Sequence, residues 1–172
     1  MTPRRLSIPL AVLMVLTCAS IAFFIFFGRD FPPTMAVRFN ASGEPVVWMD
    51  RVKFIVLASF LSFMLPTFVA AAVGVLPRVF PVSFLNLPNK AYWLAPERQN
   101  AALDALMWLG LWLGSLIQAF LIAVNVGLAR ANALTPPVTD GVWFTAAVAA
   151  FFVGLVLWGV SLRRAFALPP SC

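Results

Sequence analysis

The side chains that carry out chemistry in enzymes are scarce in this sequence. It has no histidine, two cysteines and six acidic residues among 172. Without histidine there is no Ser-His-Asp triad, no His-centred acid–base pair and no imidazole to bind a metal. Cys18 lies inside an apolar run and belongs to no Cys-x-x-Cys motif, so no disulfide framework is indicated. We therefore expect a non-enzymatic protein that uses no cofactor and no metal.

Three polar residues occur at helical spacing inside an otherwise apolar run. Gln118 and Asn125 are seven residues apart, and Ser115 precedes Gln118 by three, so one helix face would carry all of them. At membrane depth such side chains usually form hydrogen bonds with neighbouring helices. The same face could instead line a substrate path, although proton-coupled transport normally uses a buried ionisable residue. The residues predict either interhelical contacts or a polar path.

Polar and aromatic side chains also concentrate between the second and third apolar runs. Tyr92 and Trp93 suit the head-group layer of a membrane, and the neighbouring cations can pair with lipid phosphate. This pattern predicts an interfacial anchor that leads into the third helix. The segment is denser in such residues than anchoring requires, which indicates as an alternative a partner or ligand site formed by Asn86, Asn89, Lys90, Tyr92, Trp93, Glu97 and Arg98.

A second polar set lies between the first two apolar runs. Asn40-Ala41-Ser42-Gly43 can form a tight turn in which Gly43 adopts positive φ. The acidic residues of this segment fit no calcium-loop spacing, so we interpret them as solvated turn residues. The candidate residues of this outer loop are Arg38, Asn40, Gly43 and Glu44.

Four apolar runs must position these residues, at about 6–27, 54–76, 105–129 and 142–162. The chain is 62% hydrophobic and only 10% charged, too little charge to cover the surface of a soluble domain. Each run is about the length that crosses a bilayer core. The sequence therefore predicts one all-α domain, an integral membrane bundle of four transmembrane helices, with an outer loop at 28–53 and a cytoplasmic loop at 77–104.

Basic residues at the ends of the runs set the expected orientation. Arg4 and Arg5 precede the first run, and Arg163 and Arg164 close the fourth. Lys and Arg accumulate on the cytoplasmic side of membrane proteins, so we expect both termini inside. The net charge of +6 then faces lipid head groups and does not indicate nucleic-acid binding.

Both loops carry a family resemblance. The segment from Phe31-Pro32-Pro33 to Phe39-Asn40-Ala41-Ser42-Gly43-Glu44-Pro45, with Trp48, resembles the first-loop motif of a bacterial membrane family of unknown function that includes the SdpI-type immunity proteins. Asn86-Leu87-Pro88-Asn89-Lys90, Tyr92-Trp93-Leu94 and Pro96-Glu97-Arg98 resemble its second-loop motif. The resemblance covers about residues 6–130. Arg38 stands where that family often has a histidine.

The resemblance implies a multi-pass protein of the bacterial inner (cytoplasmic) membrane. Its function would be toxin immunity or envelope-stress signalling, through loop contacts with the bilayer and with a membrane-protein or peptide partner. The alternative is a small transporter, or an accessory subunit of a transport complex, in which a homo-oligomer would enclose the polar face of the third helix.

Overall fold

The computed structural model of the protein describes residues 3–168, and side chains for 6–82 and 84–168. Within these residues four helical segments are long and apolar enough to cross a membrane, so the chain is a multi-pass membrane protein by helix length and composition. A hairpin, two short α-helices and a 3-10 helix at Val82–Phe84 connect them. The elements are α1 (Pro3–Phe27), β1 (Thr34–Phe39), β2 (Pro45–Asp50), α2 (Arg51–Gly74), α3 (Leu76–Val79), α4 (Lys90–Trp93), α5 (Gln99–Asn132) and α6 (Gly141–Ala165).

The four predicted runs are confirmed as helices, but the third is longer than the apolar pattern indicates. α5 begins at Gln99 and ends at Asn132, where the pattern predicts 105–129. Its 34 residues measure about 51 Å at 1.5 Å per residue, against about 30 Å for a hydrocarbon core. The polar first and last turns of α5 therefore extend beyond the apolar layer. The orientation prediction depends partly on Arg4 and Arg5, whose side chains lie outside the described residues.

α5 is the central helix and packs against α1, α2 and α6. Small residues allow α2 to approach it closely. A methyl group added at Gly110 would lie 2.7 Å from the Ala70 carbonyl oxygen and 2.9 Å from the Gly74 nitrogen. At Gly114 it would lie 2.8 Å from the Pro66 oxygen. The Gly-x-x-x-Gly spacing of α5 thus forms a helix-packing face, as such spacings do in membranes.

Two tryptophans attach α6 to α5. Trp143 Nε1 donates to the Ala123 carbonyl at 2.9 Å, and Trp158 Nε1 donates to the Leu109 carbonyl at 2.9 Å. The ring of Trp143 fits over Gly127, where an added methyl group would come within 2.7 Å of it. Phe151 also packs against Phe120 of α5, with ring centroids 4.6 Å apart. No residue in the most apolar stretch of α6 is buried, so α6 contacts α5 with one side and is exposed on the other.

The all-α prediction is compatible with the membrane-spanning helices but missed a β-hairpin in the predicted outer loop. β1 and β2 pair antiparallel, with Thr34 opposite Asp50, a bulge at Val37 of β1 and a second register shift at Val46 of β2. Apolar residues run together in both strands and the bulge breaks their alternation, so the period-two pattern of a strand is weak. We call the end of the bundle that holds residues 28–50 and 133–140 the hairpin end, and the end that holds residues 75–98 and 166–168 the loop end.

The close contact between α2 and α5 predicts that a methyl group added at Gly110 lowers the stability of the protein. Gly110→Ala should destabilise the protein by about 1–3 kcal/mol, because the new methyl group meets backbone atoms that have no room to move. Gly159→Ala is the matched control, since a methyl group there meets nothing within 4 Å. Thermal unfolding of the purified protein in detergent measures both. Equal melting temperatures for the two variants would contradict the close helix contact.

Candidate functional site

At the hairpin end, Asn132 fixes the hairpin to the bundle. The Ala36 N–H donates to Asn132 Oδ1 at 2.7 Å, and Asn132 Nδ2 donates to the Ala36 carbonyl at 2.9 Å. The same Nδ2 also donates to the Leu128 carbonyl at 2.9 Å. Ala36 is fully buried. The amide therefore satisfies the outward backbone groups of β1, as a neighbouring strand would.

Arg51 and Asp50 hold the base of the hairpin. Arg51 Nη1 donates to the carbonyls of Arg29 (3.2 Å) and Phe31 (3.1 Å), and the Arg51 backbone N–H donates to the Pro33 carbonyl at 2.9 Å. Asp50 caps α2 by accepting two backbone N–H groups of its first turn. These hydrogen bonds satisfy main-chain groups where α1 leads into the hairpin and where the hairpin leads into α2.

The predicted outer-loop residues lie at the hairpin tip. Asn40 Nδ2 donates to Glu44 Oε2, and the Glu44 N–H donates to Asn40 Oδ1, each at 2.9 Å. Gly43 has φ +82°, which the turn requires, and its carbonyl accepts the Thr139 N–H at 3.2 Å. Arg38 is exposed on β1. Asn40, Gly43 and Glu44 therefore shape the turn, and the tip rests on the connection between α5 and α6.

An apolar surface remains on β2. Val46, Val47 and Trp48 are 48%, 40% and 49% exposed. Within the described residues the sheet has two strands, and Asn132 covers the outer edge of β1 at Ala36. β2 therefore offers the open edge of the sheet together with three large apolar side chains, a combination suited to a partner or to lipid.

The predicted loop-end residues form a clamp, by which we mean the contact of Asn89 and Trp93 with Phe166. Asn89 Nδ2 and Trp93 Nε1 both donate to the Phe166 carbonyl, at 2.8 and 3.0 Å. The Phe166 ring is fully buried and meets the Trp93 ring edge to face, with centroids 5.7 Å apart. Asn89 adopts φ 54°, a left-handed conformation that asparagine tolerates. The clamp holds the end of α6.

The other loop-end candidates divide into two groups. The Arg98 guanidinium lies 4.1 Å above the Tyr92 ring centroid, and Arg98 Nη1 donates to the Tyr92 carbonyl at 3.3 Å. This pair braces the turn between α4 and α5. Asn86, Lys90 and Glu97, in the same segment of the chain, have exposed side chains.

The three residues predicted to share a face of α5, Ser115, Gln118 and Asn125, are all buried, but they differ in their bonds. Ser115 Oγ donates to the Leu111 carbonyl at 2.9 Å, within its own helix. Asn125 Nδ2 donates to Ser62 Oγ on α2 at 3.1 Å. The Gln118 amide oxygen and nitrogen are closed to water and have no hydrogen-bond partner in the described chain. Asn125 is thus an interhelical contact, whereas Gln118 is a buried amide with unmet hydrogen bonds.

Two open grooves flank the hairpin-end half of α5. The α1 groove, between α1 and α5, has a volume of about 450 Å³ and a largely aromatic and aliphatic lining. The α2 groove, between α2 and α5, has a volume of about 320 Å³, and both Asn125 and Ser62 belong to its lining. Among the described residues, no group of three or more acidic or cysteine side chains is placed to hold a metal ion.

Sequence reasoning missed three residues that organise these regions: Asn132, Ser62 and Phe166. Asn132 forms hydrogen bonds with Ala36, 96 residues away, so no local sequence pattern predicts this contact. Ser62 stands four residues before Pro66, which lacks the N–H that would otherwise bond to the Ser62 carbonyl. That missing hydrogen bond, at a polar residue inside α2, is the one signal from which the Ser62 contact could have been anticipated.

Comparison with known proteins finds no match to a family model, to a curated protein or to a solved structure. The resemblance to SdpI-type proteins therefore stays a prediction based on the two loop motifs. In the structure the first motif forms the hairpin and the second contains the clamp.

The Asn132 contact predicts a local loss of protection. Asn132→Leu should leave the buried N–H and carbonyl of Ala36 without partners, at about 1–3 kcal/mol for each group. Hydrogen–deuterium exchange in residues 34–39 should then accelerate. Asn100→Leu is the control, because Asn100 is exposed in the first turn of the same helix. Unchanged exchange in the Asn132 variant would show that the amide does not hold the hairpin.

The clamp predicts a change at the end of α6. The double variant Asn89→Gly, Trp93→Phe removes both donors to the Phe166 carbonyl. Glycine can still adopt the positive φ of residue 89, and phenylalanine still places an aromatic ring at residue 93. The last turn of α6 should fray, since a net hydrogen bond contributes about 1 kcal/mol. Thiol labelling of Ala165→Cys, in a chain without Cys18 and Cys172, should become faster, because Ala165 is half-buried against the cluster that contains Phe166. Asn86→Ala is the control, and equal labelling rates would argue against the clamp.

Proposed function

We propose that this chain is a non-enzymatic protein of the bacterial inner membrane that protects the cell by recognising a membrane-active peptide, as the SdpI-type resemblance implies. The supporting observation is the hairpin, which is bonded to the bundle by Asn132 and presents an exposed apolar strand. A surface that is already rigid loses little conformational entropy when it binds. A peptide that reaches the membrane would meet this surface first.

The orientation that serves this function places the hairpin end outside and both termini inside. The loop end and the last turn of α6 then contribute these basic residues to the cytoplasmic face: Arg78, Lys90, Arg98, Arg163 and Arg164. Arg78 is also bonded to Asp104 at the start of α5. In this arrangement the exposed residues of the loop end would face any cytoplasmic signalling partner, and α5 would connect the two ends.

The open edge of β2 suggests how a peptide would bind. An extended peptide can add as a third strand to a free sheet edge, with its side chains beside those of the edge strand. Val46 and Trp48 are both exposed on this strand. Main-chain hydrogen bonds would then supply affinity, and these two side chains would supply selectivity.

The transporter alternative requires a polar cavity that joins Ser115, Gln118 and Asn125 to water. The Gln118 amide is closed to water, and Ser115 donates its hydroxyl within its own helix. The buried row on α5 therefore supports helix packing more than passage of a solute. A transport function also does not explain why β2 of the hairpin exposes apolar side chains.

Survival under membrane-active peptides tests the proposal. A strain that lacks the gene is complemented with wild type or with the double variant Val46→Ser, Trp48→Ser at matched membrane levels. The variant should lower protection about tenfold or more, because it removes two apolar anchors of the recognition surface. The double variant Val142→Ser, Leu134→Ser is the control, since it alters exposed apolar residues at the same end outside the hairpin.

Gln118→Leu separates the two functions in the same assay. It removes two unmet polar atoms from the bundle, so it should stabilise the fold and leave protection intact. Loss of protection with Gln118→Leu, together with full protection by the hairpin variant, would replace recognition with transport.

A further inference from the structure

We infer that the α1 groove binds one zwitterionic phospholipid whose head group carries a primary ammonium, with an acyl chain in the groove and the head between Arg130 and Asp30. This inference goes beyond the proposed peptide recognition and does not require it. Three observations carry it: the aromatic lining, the two opposite charges at one groove, and the position of the groove along the helices.

The groove has the size and lining of a site for an apolar chain. Its volume of about 450 Å³ lies within the range of ligand pockets. Phe23, Phe27 and Phe31 line it from the α1 side, and Val126 and Ala129 line it from α5. Apolar walls on both sides match an acyl chain along its length, whereas a peptide backbone would find few polar partners there.

Two side chains of opposite charge line the groove and do not form an ion pair with each other. Asp30 and Arg130 both line it, both are exposed, and they form no ion pair with each other in the described structure. The Arg130 guanidinium lies 4.9 Å from the Trp143 ring centroid, so an aromatic face orients it. Guanidinium binds phosphate with paired hydrogen bonds, and a carboxylate accepts hydrogen bonds from an ammonium. A phosphoethanolamine head group supplies both of these groups.

The groove crosses the boundary between apolar and polar layers. Phe23 and Val126 lie within membrane-spanning helices, whereas Asp30 follows the end of α1 and Arg130 lies in the last turn of α5. A lipid whose chain extends along the helices would therefore place its head group at these two charges. Asn132 also lines the groove, but its amide is already bonded to Ala36 and Leu128.

The Asp30 carboxylate would give the groove a preference among the head groups of common phospholipids. A choline head group has no N–H to donate to Asp30, and a glycerol head group has no cation to balance it. Arg130 would attract the phosphate of each of these lipids. We therefore expect Arg130 to contribute affinity and Asp30 to contribute preference for the primary ammonium.

Lipid retention and lipid-dependent melting of the purified full chain test the inference. Native mass spectrometry should show one phosphatidylethanolamine retained per chain, in preference to phosphatidylcholine and phosphatidylglycerol. Asp30→Asn should abolish the preference over phosphatidylcholine. Arg130→Gln should weaken retention of all three lipids by about threefold to tenfold, as expected for a lost charge-assisted contact. The controls are Arg38→Gln and Glu44→Gln, which remove one charge of each sign at the same end outside the groove.

A groove-filling variant keeps the test independent of the charges. Ala133 lines the groove and is exposed, so Ala133→Phe should block lipid retention while the helical circular dichroism spectrum stays unchanged. Phosphoethanolamine without acyl chains should raise the melting temperature far less than the intact lipid does. Equal retention of the three lipids, or retention unaffected by Ala133→Phe, would overturn the inference. An equal effect of phosphoethanolamine would remove the acyl-chain part of it. None of these results depends on the protection assay.

Discussion

Side-chain donors that bond to main-chain carbonyls hold this protein together, and the rest of the structure depends on them. The hydrocarbon core of a bilayer offers no hydrogen bonds, and it gives helices little hydrophobic reason to associate. The elements are instead attached at points: Asn132 to Ala36, Trp143 to Ala123, Trp158 to Leu109, and Asn89 and Trp93 to Phe166. Close packing at the glycines of α5 fills the space between these points.

These contacts make α5 the element that links both ends of the molecule. Its last residue holds the hairpin, while Leu103 and Leu106 in its early turns pack in one cluster with Phe166 at the loop end. A ligand that moves the hairpin would therefore act on the helix that also contacts the clamp region. This continuity gives the two loop motifs, which are far apart in sequence, one common element through which either can affect the other.

The sequence predicts the helices well because twenty or so apolar residues in a row have few alternatives in a membrane. It also predicts that Ser115, Gln118 and Asn125 share a buried face, since that follows from helical spacing. It does not reveal that Asn125 finds a partner and Gln118 does not, because this depends on what another helix places opposite. The sequence does not predict the hairpin, because a short bulged strand has only weak alternation of apolar and polar residues. It does not predict the Asn132 contact, because the two partners are 96 residues apart.

Peptide recognition by the hairpin requires that it is a fixed part of the bundle and presents a preformed surface. Spin labels at Ser42, on the hairpin tip, and at Val56, on the exposed face of α2, would report their separation by pulsed electron paramagnetic resonance. The chain would lack Cys18 and Cys172 and would be reconstituted in lipid. A single narrow distance distribution without any added ligand is the result we expect. A broad or divided distribution would show that the hairpin moves freely and that it presents no preformed surface.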